Sequence, residues 1–296
     1  MTCCTGSCAA AAHFDPLVAE RDFRRHQRHG PDLSTRILLS ELRRWPLEGL
    51  HLLDVGAGIG VIALELAGAG LAGVTLADAS PAYLEAARRH LASRDAFCPA
   101  QFFLGDFAAT AASLPDADIV TLDRVVCCYP DVEALLRVAA ARSRRLVAFT
   151  YHPDRWYLHA AVALENSWYR LNQNPFRAFV HAPEHMAAVL ESAGFVRAAR
   201  HLTFQWALDV YRRADASVAH PSEGEVSSCH VSPARSRLRR CRGASTPRPN
   251  LSSHPTRKTL PEREQQIEGW LSGLRVDLQR RTHNAFSPRP EARSHH

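Results

Sequence analysis

A run of glycines that follows an acid has the residue types and spacing of a site for a nucleotide-like ligand. The segment His51 to Gly60, HLLDVGAGIG, is an apolar run that ends in Asp54 and then carries Gly56, Gly58 and Gly60 at alternate positions. Glycine permits positive φ angles and close approach of a ligand to the backbone, so the segment predicts a buried parallel strand that enters a binding turn. The helix predicted after it would point its first amides at that ligand.

The glycine spacing favours one kind of ligand over another. The dinucleotide fingerprint is G-x-G-x-x-G, whereas Gly56, Gly58 and Gly60 are each two residues apart. This spacing favours S-adenosylmethionine (SAM) over NAD. Asp54 would repel a pyrophosphate, but it suits a ligand that carries an ammonium group. Taken alone, the pattern also fits a tight strand-to-helix turn in some other α/β protein.

Two further acids follow the next two predicted strands. Asp78 ends the strand GVTLAD, and with the adjacent Ala79 it would lie beside the glycine turn, where its carboxylate can accept both hydroxyls of a ribose. Asp106 follows the strand AQFFL and could accept a hydrogen bond from an adenine amino group, while Phe107 packs on the purine ring. These acids and Asp54 therefore predict one site at the carboxyl ends of three strands.

The residues after the fourth and fifth strands are candidates for the chemistry itself. The strand ADIVTL leads into Asp123 and Arg124, and in doubly wound sheets the ligand crevice opens at such a position. Tyr129, in the same loop, is predicted to contact the second substrate. His152 follows the strand RLVAFT and could take or position a proton, because an imidazole has a pKa near working pH. A structural histidine bonded to the loop is the alternative.

Composition and charge limit the classes of protein that the chain can belong to. The sequence has 296 residues, is 46% apolar, and has no apolar run long enough to span a membrane. Its start lacks the features of a secretory signal, so we expect a cytoplasmic protein. Residues 1–212 hold 21 Lys and Arg against 22 Asp and Glu, whereas residues 213–296 hold 15 against 8. The basic charge belongs to the tail, and we expect no nucleic-acid partner.

The eight cysteines do not predict a metal site. No C-x-x-C pair is present, so a zinc site is not expected. Cys127 and Cys128 could be nucleophiles, but burial as small apolar residues is the favoured interpretation. In a reducing compartment we expect free thiols.

The pattern of strands and helices predicts an α/β fold with a doubly wound, mostly parallel sheet of seven strands. The last two predicted strands form an adjacent pair, which leaves the final strand antiparallel to the rest. We expect three regions: an N-terminal helical segment at 1–48, a SAM-binding domain at 49–212, and a basic tail at 213–296. The tail is predicted to be mostly disordered, with a possible helix at 261–281.

Taken together, the segments LLDVGAGIG, LADAS, LGDF and ADIVTLDRVVCCYPD resemble the class I SAM-dependent methyltransferases. The pieces CCYPD, TYHP and NPFRAFVH are similar to the branch that contains the magnesium-protoporphyrin O-methyltransferases and bacterial relatives. The resemblance covers roughly residues 13–212. It implies a Rossmann-like fold, SAM as methyl donor, and methyl transfer in one in-line displacement.

The resemblance also implies roles for individual residues. The glycine turn would approach the methionine part of SAM, with Asp54 near the ammonium group, Asp78 at the ribose and Asp106 at the adenine. The remaining candidates would border the sulfonium (Asp123 and Arg124) or face the methyl acceptor (Tyr129 and His152).

The sequence therefore predicts a methyltransferase for a small-molecule acceptor, with O-methylation slightly preferred. Two alternatives stay open: a non-catalytic SAM-binding protein whose basic tail binds an acidic partner, and an NAD-linked oxidoreductase. The latter is disfavoured by the glycine spacing. Neither the acceptor nor the oligomeric state is predicted.

Overall fold

The computed structural model describes residues 7–93 and 98–215, all within the first of the chain's two units, Met1–Glu225. The predicted tail, apart from its first residues, and the predicted helix at 261–281 lie outside the described residues. Among the helices of the described ranges, none has the length and apolar character needed to cross a membrane.

Seven strands form one sheet in the order β3-β2-β1-β4-β5-β7-β6. Neighbours from β3 to β5 pair in parallel, whereas β7 runs antiparallel to both β5 and β6. The predicted fold class is therefore confirmed, including the antiparallel last strand. The strands are β1 (His51–Val55), β2 (Gly73–Asp78), β3 (Ala100–Leu104), β4 (Ala117–Leu122), β5 (Ser143–Tyr151), β6 (Phe195–Leu202) and β7 (Ala207–Arg213).

Local sequence signals account for where the helices begin. Ser80 caps the helix after β2, because its Oγ accepts from Tyr83 N at 3.2 Å, and Pro81 occupies the first helical position. The α-helices of the described residues are α1 (Ser7–His13), α2 (Pro16–His29), α3 (Leu33–Leu42), α4 (Val61–Glu65), α5 (Pro81–Ala92), α6 (Phe107–Thr110), α7 (Val132–Arg142), α8 (Trp156–Leu171) and α9 (Pro183–Ser192).

The region before β1 contains three helices among the described residues, α1, α2 and α3. Asp32 immediately precedes α3 but makes no capping hydrogen bond. Its carboxylate is paired with arginines instead, one of them in the candidate site.

Two apolar layers hold the helices against the sheet. On one face, Leu38, Leu42 and Ile62 pack from α3 and α4 onto strand residues such as Leu76. On the other, α7 and α9 pack onto Phe149 and its neighbours. The sheet is therefore covered on both faces, as expected of a doubly wound fold. Its strand order reverses between β1 and β4, and the ligand crevice of such folds opens at the carboxyl ends of these strands.

Candidate functional site

The glycine turn lies between the end of β1 and the start of α4. Its three glycines have φ values of +61° (Gly56), +55° (Gly58) and +77° (Gly60), which other residues adopt only at a cost. Gly56 N and Ala57 N both donate to the carbonyl oxygen of Ala77 in β2, at 2.7 and 3.2 Å. A Cβ on Gly58 would meet no atom within 4 Å. The turn is thus anchored to β2 on one side and open on the other.

Asp78 lies at the end of β2 and is bonded to the glycine turn. Its Oδ2 accepts from Gly58 N at 2.9 Å, and its Oδ1 accepts from Ser80 N at 2.7 Å. Burial raises the pKa of Asp78, and these backbone N–H groups partly oppose the effect. A carboxylate oxygen has two lone pairs, so each can still accept from a ribose hydroxyl. Ala79, which follows it, is half-buried, and its role at the cofactor stays a prediction.

Asp106 follows β3 and is partly engaged. Its Oδ1 accepts from Ala108 N at 3.0 Å and from the Tyr129 hydroxyl at 2.7 Å. Within residues 7–93 and 98–215, no hydrogen-bond donor is found on its Oδ2, which leaves that oxygen for an adenine amino group. The adjacent Phe107 is only 5% exposed and packs in the core with residues such as Ala77 and Leu114.

The contacts of two predicted site residues bear on their roles. Phe107 was predicted to pack on a purine ring, and its side chain lies in the apolar layer of the core. Tyr129 was predicted to face the acceptor, and its hydroxyl donates to Asp106. Both roles stay predictions.

Asp54 lies inside β1 rather than at the surface of the crevice. It is 2% exposed, and its Oδ1 accepts from Thr121 Oγ1 of β4 at 2.7 Å. Burial raises the pKa of Asp54 to about 7; the Thr121 hydrogen bond opposes this, and the charges of Asp123 and Asp78 add to it. Near neutral pH this carboxyl is therefore poised between its charged and neutral forms.

We expect Asp54→Asn to change the pH dependence of stability. A carboxyl whose pKa rises on folding holds its proton more tightly in the folded state, so the stability it contributes is lost as pH increases from about 4 to about 7. The loss is at most about 1.4 kcal/mol per pH unit. Asparagine keeps an acceptor for Thr121 and does not titrate. We compare the free energies of unfolding of variant and parent, measured in urea at pH 5 and pH 7. From pH 5 to pH 7, the free energy of unfolding of the variant should rise relative to that of the parent by more than about 1 kcal/mol. An unchanged difference would contradict the raised pKa.

Asp123 and Arg124 form a network with two other elements. Asp123 accepts from Thr35 Oγ1 of α3 at 2.6 Å and from Thr150 Oγ1 of β5 at 2.7 Å. Thr150 also accepts from the backbone N of Arg124 at 2.7 Å. Arg124 has a φ of +60°, which is unusual for a residue with a side chain, and its guanidinium donates to Asp32 at 2.6 Å. Neither Thr35 nor Asp32 was predicted to take part.

His152 lies after β5, beside the loop that carries Cys127. Its Nδ1 is 3.0 Å from the carbonyl oxygen of Gln205, and the ring stacks on Trp206 at 4.3 Å. A carbonyl only accepts, so Nδ1 carries the proton and Nε2 holds the lone pair of the neutral ring. Burial lowers the pKa of His152, but the Cys127 thiol and the Gln205 carbonyl outweigh it, and the pKa lies above its ordinary value.

The helices before β1 cover part of the site. Ser80, beside Asp78, donates from its Oγ to the carbonyl oxygen of Phe14 at 2.6 Å. The Tyr83 hydroxyl donates to Asp22 of α2 at 2.7 Å. Ile59, within the glycine turn, packs with Tyr83 in a small apolar cluster that includes Ala19 of α2. The sequence predicted a helical segment in this region but did not indicate on which part of the sheet it packs.

The residues that are present fit SAM. The open side of Gly58, the lone pairs of Asp78 and the Oδ2 of Asp106 lie at the carboxyl ends of β1, β2 and β3. Gly58 lets a ligand approach the backbone, Asp78 can accept from ribose hydroxyls, and Asp106 can accept from an adenine amino group. In the same described residues, no group of three or more His, Cys, Asp or Glu could hold a metal ion.

Comparisons with known proteins agree with this architecture. Residues 52–146 match a family model described as a methyltransferase domain. No curated protein matches the chain. The chain is similar to the solved structure of magnesium protoporphyrin IX methyltransferase from Synechocystis PCC 6803 with bound SAH, at 18% identity and a TM-score of 0.57. The match covers 70% of this chain and 99% of that one.

Two other solved structures share the fold at the same identity, 18%. An O-methyltransferase family protein from Burkholderia thailandensis has a TM-score of 0.54, with 69% of this chain and 61% of that chain covered. A putative methyltransferase from Haloferax volcanii, in complex with the Trm112 methyltransferase activator, has a TM-score of 0.51, with 69% and 97% covered. The resemblance read from the sequence motifs is thereby confirmed: residues 52–146 match a methyltransferase domain, and the chain has the Rossmann-like methyltransferase fold.

Proposed function

We propose that the protein transfers a methyl group from SAM to a small-molecule oxygen acceptor. The observation that carries the proposal is the convergence of Gly58, Asp78 and Asp106 at one end of three neighbouring strands, with Asp78 bonded to the glycine turn. The match of residues 52–146 to a methyltransferase domain supports it. So do the solved relatives that were crystallised with SAM or SAH.

In this proposal each residue has a task set by its position. The open backbone at Gly58 accommodates the methionine part of SAM, Asp78 accepts from the ribose, and Asp106 accepts from the adenine. Arg124 and Asp123 border the reacting centre, and the two threonine hydroxyls hold the Asp123 carboxylate in place. SAM supplies a methyl group on a sulfonium that is already a good leaving group, so alignment of the acceptor can provide much of the acceleration.

His152 is proposed to be the general base for a hydroxyl acceptor. Its Nδ1–H is held by Gln205 and its ring by Trp206, which fixes the orientation of the ring and leaves Nε2 as the basic atom. A carboxylate acceptor, as in the porphyrin enzymes, would need no such base. The arrangement around His152 therefore favours a hydroxyl, and a porphyrin carboxylate is the alternative to screen beside it.

The variant His152→Asn tests this role. Asparagine can still donate to the Gln205 carbonyl but has no basic nitrogen, so we expect kcat for a hydroxyl acceptor to fall by roughly 10²- to 10⁴-fold with SAM affinity unchanged. In the parent, kcat/KM should fall as the pH drops through the pKa of His152, which lies above its ordinary value of 6.5. His159→Asn, on the exposed surface of α8, is the matched control. A variant as active as the parent would remove His152 from the reaction.

Methyl transfer itself is tested with methyl-labelled SAM and a panel of acceptors. The panel should contain phenols, alcohols, porphyrin carboxylates and amines, with the full-length protein as enzyme. We expect label in an ether or an ester and none in the amines. Tight SAM binding without transfer to any member of the panel would contradict the proposal and support a non-catalytic SAM-binding protein.

A further inference from the structure

The outward side of α8 is mostly apolar, although it faces solvent. Three large side chains on it are well exposed: Trp156 is 81% exposed, Leu171 80% and Leu164 63%. Residues three and four apart in a helix lie on the same side, so the exposed apolar residues of α8 form one stripe. This stripe, the α8 face, consists of Trp156, Ala160, Ala163, Leu164, Ser167 and Leu171.

The remainder of α8 fixes the helix on the domain. Leu158 and Tyr169 are buried, at 2% and 3% exposure. The side chain of Asn166 donates to the carbonyl oxygen of Ala178 at 2.8 Å and accepts from its amide at 2.9 Å. The helix therefore cannot rotate to bury the α8 face without breaking these contacts. Helices that are apolar on both sides are normally buried, so the α8 face has the character of an interaction surface.

The order of large and small residues suits pairing of the α8 face with itself. Two copies related by a two-fold axis at right angles to the helix are antiparallel, so residues at equal distances from the axis face each other. Val162 is midway between Ala160 and Leu164 in the sequence. With the axis level with Val162, Leu164 of each copy lies opposite Ala160 of the other. A large side chain then packs over a small one, and the helices can approach closely.

The same register pairs opposite charges. Asp154 is exposed before the start of α8, and its carboxylate is 2.7 Å from Nε2 of His159. Arg170 is exposed eleven residues, or three turns, beyond His159, so both border the same edge of the α8 face. The two-fold axis keeps each edge on its own side and reverses the helix direction. Because Val162 is also midway between Asp154 and Arg170, the aspartate of each copy lies level with the arginine of the other.

We infer that the protein forms a homodimer in solution by antiparallel two-fold pairing of its α8 faces. A different partner would have to supply an apolar stripe and charges in this order, whereas a second copy supplies both by symmetry. Stable interfaces bury roughly 1,200–2,000 Å², and a single pair of helices buries less. The dimer is therefore expected to be weak, with a dissociation constant in the micromolar range. The inference does not depend on methyl transfer.

Sedimentation of the full-length protein tests the dimer. Over about 5 to 200 µM protein, the average mass should rise from 32.8 kDa towards twice that value. Leu164→Glu puts an unpaired charge at the centre of the interface and should raise the dissociation constant by about tenfold or more. Leu17→Glu, which makes the same change at a similarly exposed leucine of α2, is the matched control and should leave the dissociation constant unchanged.

Reversal of single charges tests the register. Asp154→Arg and Arg170→Asp should each raise the dissociation constant by roughly 3- to 30-fold, because both ion pairs of the dimer become contacts between like charges. An equimolar mixture of the two variants should restore the dimer, since each arginine then faces an aspartate again. The inference would be overturned by a parent that stays monomeric over the whole range, by a dimer that Leu164→Glu does not weaken, or by a mixture that associates no more tightly than the single variants.

Discussion

Asp78→Ala is expected to weaken SAM binding by about 10- to 150-fold. The variant removes a charged acceptor of ribose hydroxyls, and hydrogen bonds to charged groups contribute about 1.5 to 3 kcal/mol. The loss has a second cause, because Asp78 also accepts from Gly58 N and Ser80 N, and the variant leaves both amides without this partner. Isothermal titration calorimetry with SAM measures the change directly.

Two controls separate the ligand contact from damage to the fold. Asp78→Asn keeps an amide oxygen that can accept from one backbone N–H but removes the charge, so its affinity should lie between those of the parent and the alanine variant. Asp131→Ala removes a carboxylate that accepts from Ala134 N at the start of α7 and has no assigned role in SAM binding. It should cost about 1 kcal/mol of stability and leave SAM affinity unchanged. Unchanged affinity in Asp78→Ala would exclude Asp78 from the site.

Gly56→Ala is expected to destabilise the protein by about 2 to 5 kcal/mol. The new Cβ would overlap Val125 Cγ2, because the two atoms would be closer together than van der Waals contact allows. Overpacking of this kind costs about 1 to 3 kcal/mol. The positive φ of +61° adds about 1 to 2 kcal/mol for a residue with a Cβ. Urea unfolding of the parent and the variant measures the total loss in free energy of unfolding.

A second substitution divides this loss into its two causes. Val125→Ala removes the overlapping methyl group, so in the double variant the cost of Gly56→Ala should fall to about the 1 to 2 kcal/mol of the backbone term alone. Gly58→Ala is a matched control, since its φ is similarly positive and its Cβ would meet open space. It should destabilise by the backbone term only while obstructing SAM. Equal costs for Gly56→Ala and Gly58→Ala would contradict the packing account.

The sequence could predict the features that depend on neighbouring residues. Alternation of apolar strands and helices indicated the doubly wound sheet, and Ser80 with Pro81 marked the start of α5. The glycine spacing and the acids after three successive strands indicated one site, because parallel strands present their carboxyl ends at the same edge. Asp78 and Asp106 do lie at that edge, at the ends of β2 and β3.

The partners of the side chains could not be predicted, because tertiary packing sets them. Thr35 is 88 residues from Asp123, and nothing in the pattern of α3 distinguishes it from an ordinary helical threonine. Thr150 did leave a signal, as a polar residue at the end of a buried apolar strand. Cys127 has no histidine close to it in the sequence, yet β5 places His152 beside it. The periodicity of apolar residues indicates which positions are buried, but it does not indicate which residue each side chain contacts.

The central claim is that the glycine turn and its acids bind SAM, and calorimetric titration of the full-length protein with SAM and, separately, with NADH tests it most directly. The account predicts a micromolar dissociation constant for SAM, none measurable for NADH, and a dissociation constant for SAM that is about 10- to 150-fold higher in Asp78→Ala. A folded protein that binds NADH, or that binds neither ligand, would contradict the claim and leave the glycine turn as a structural connection between β1 and α4.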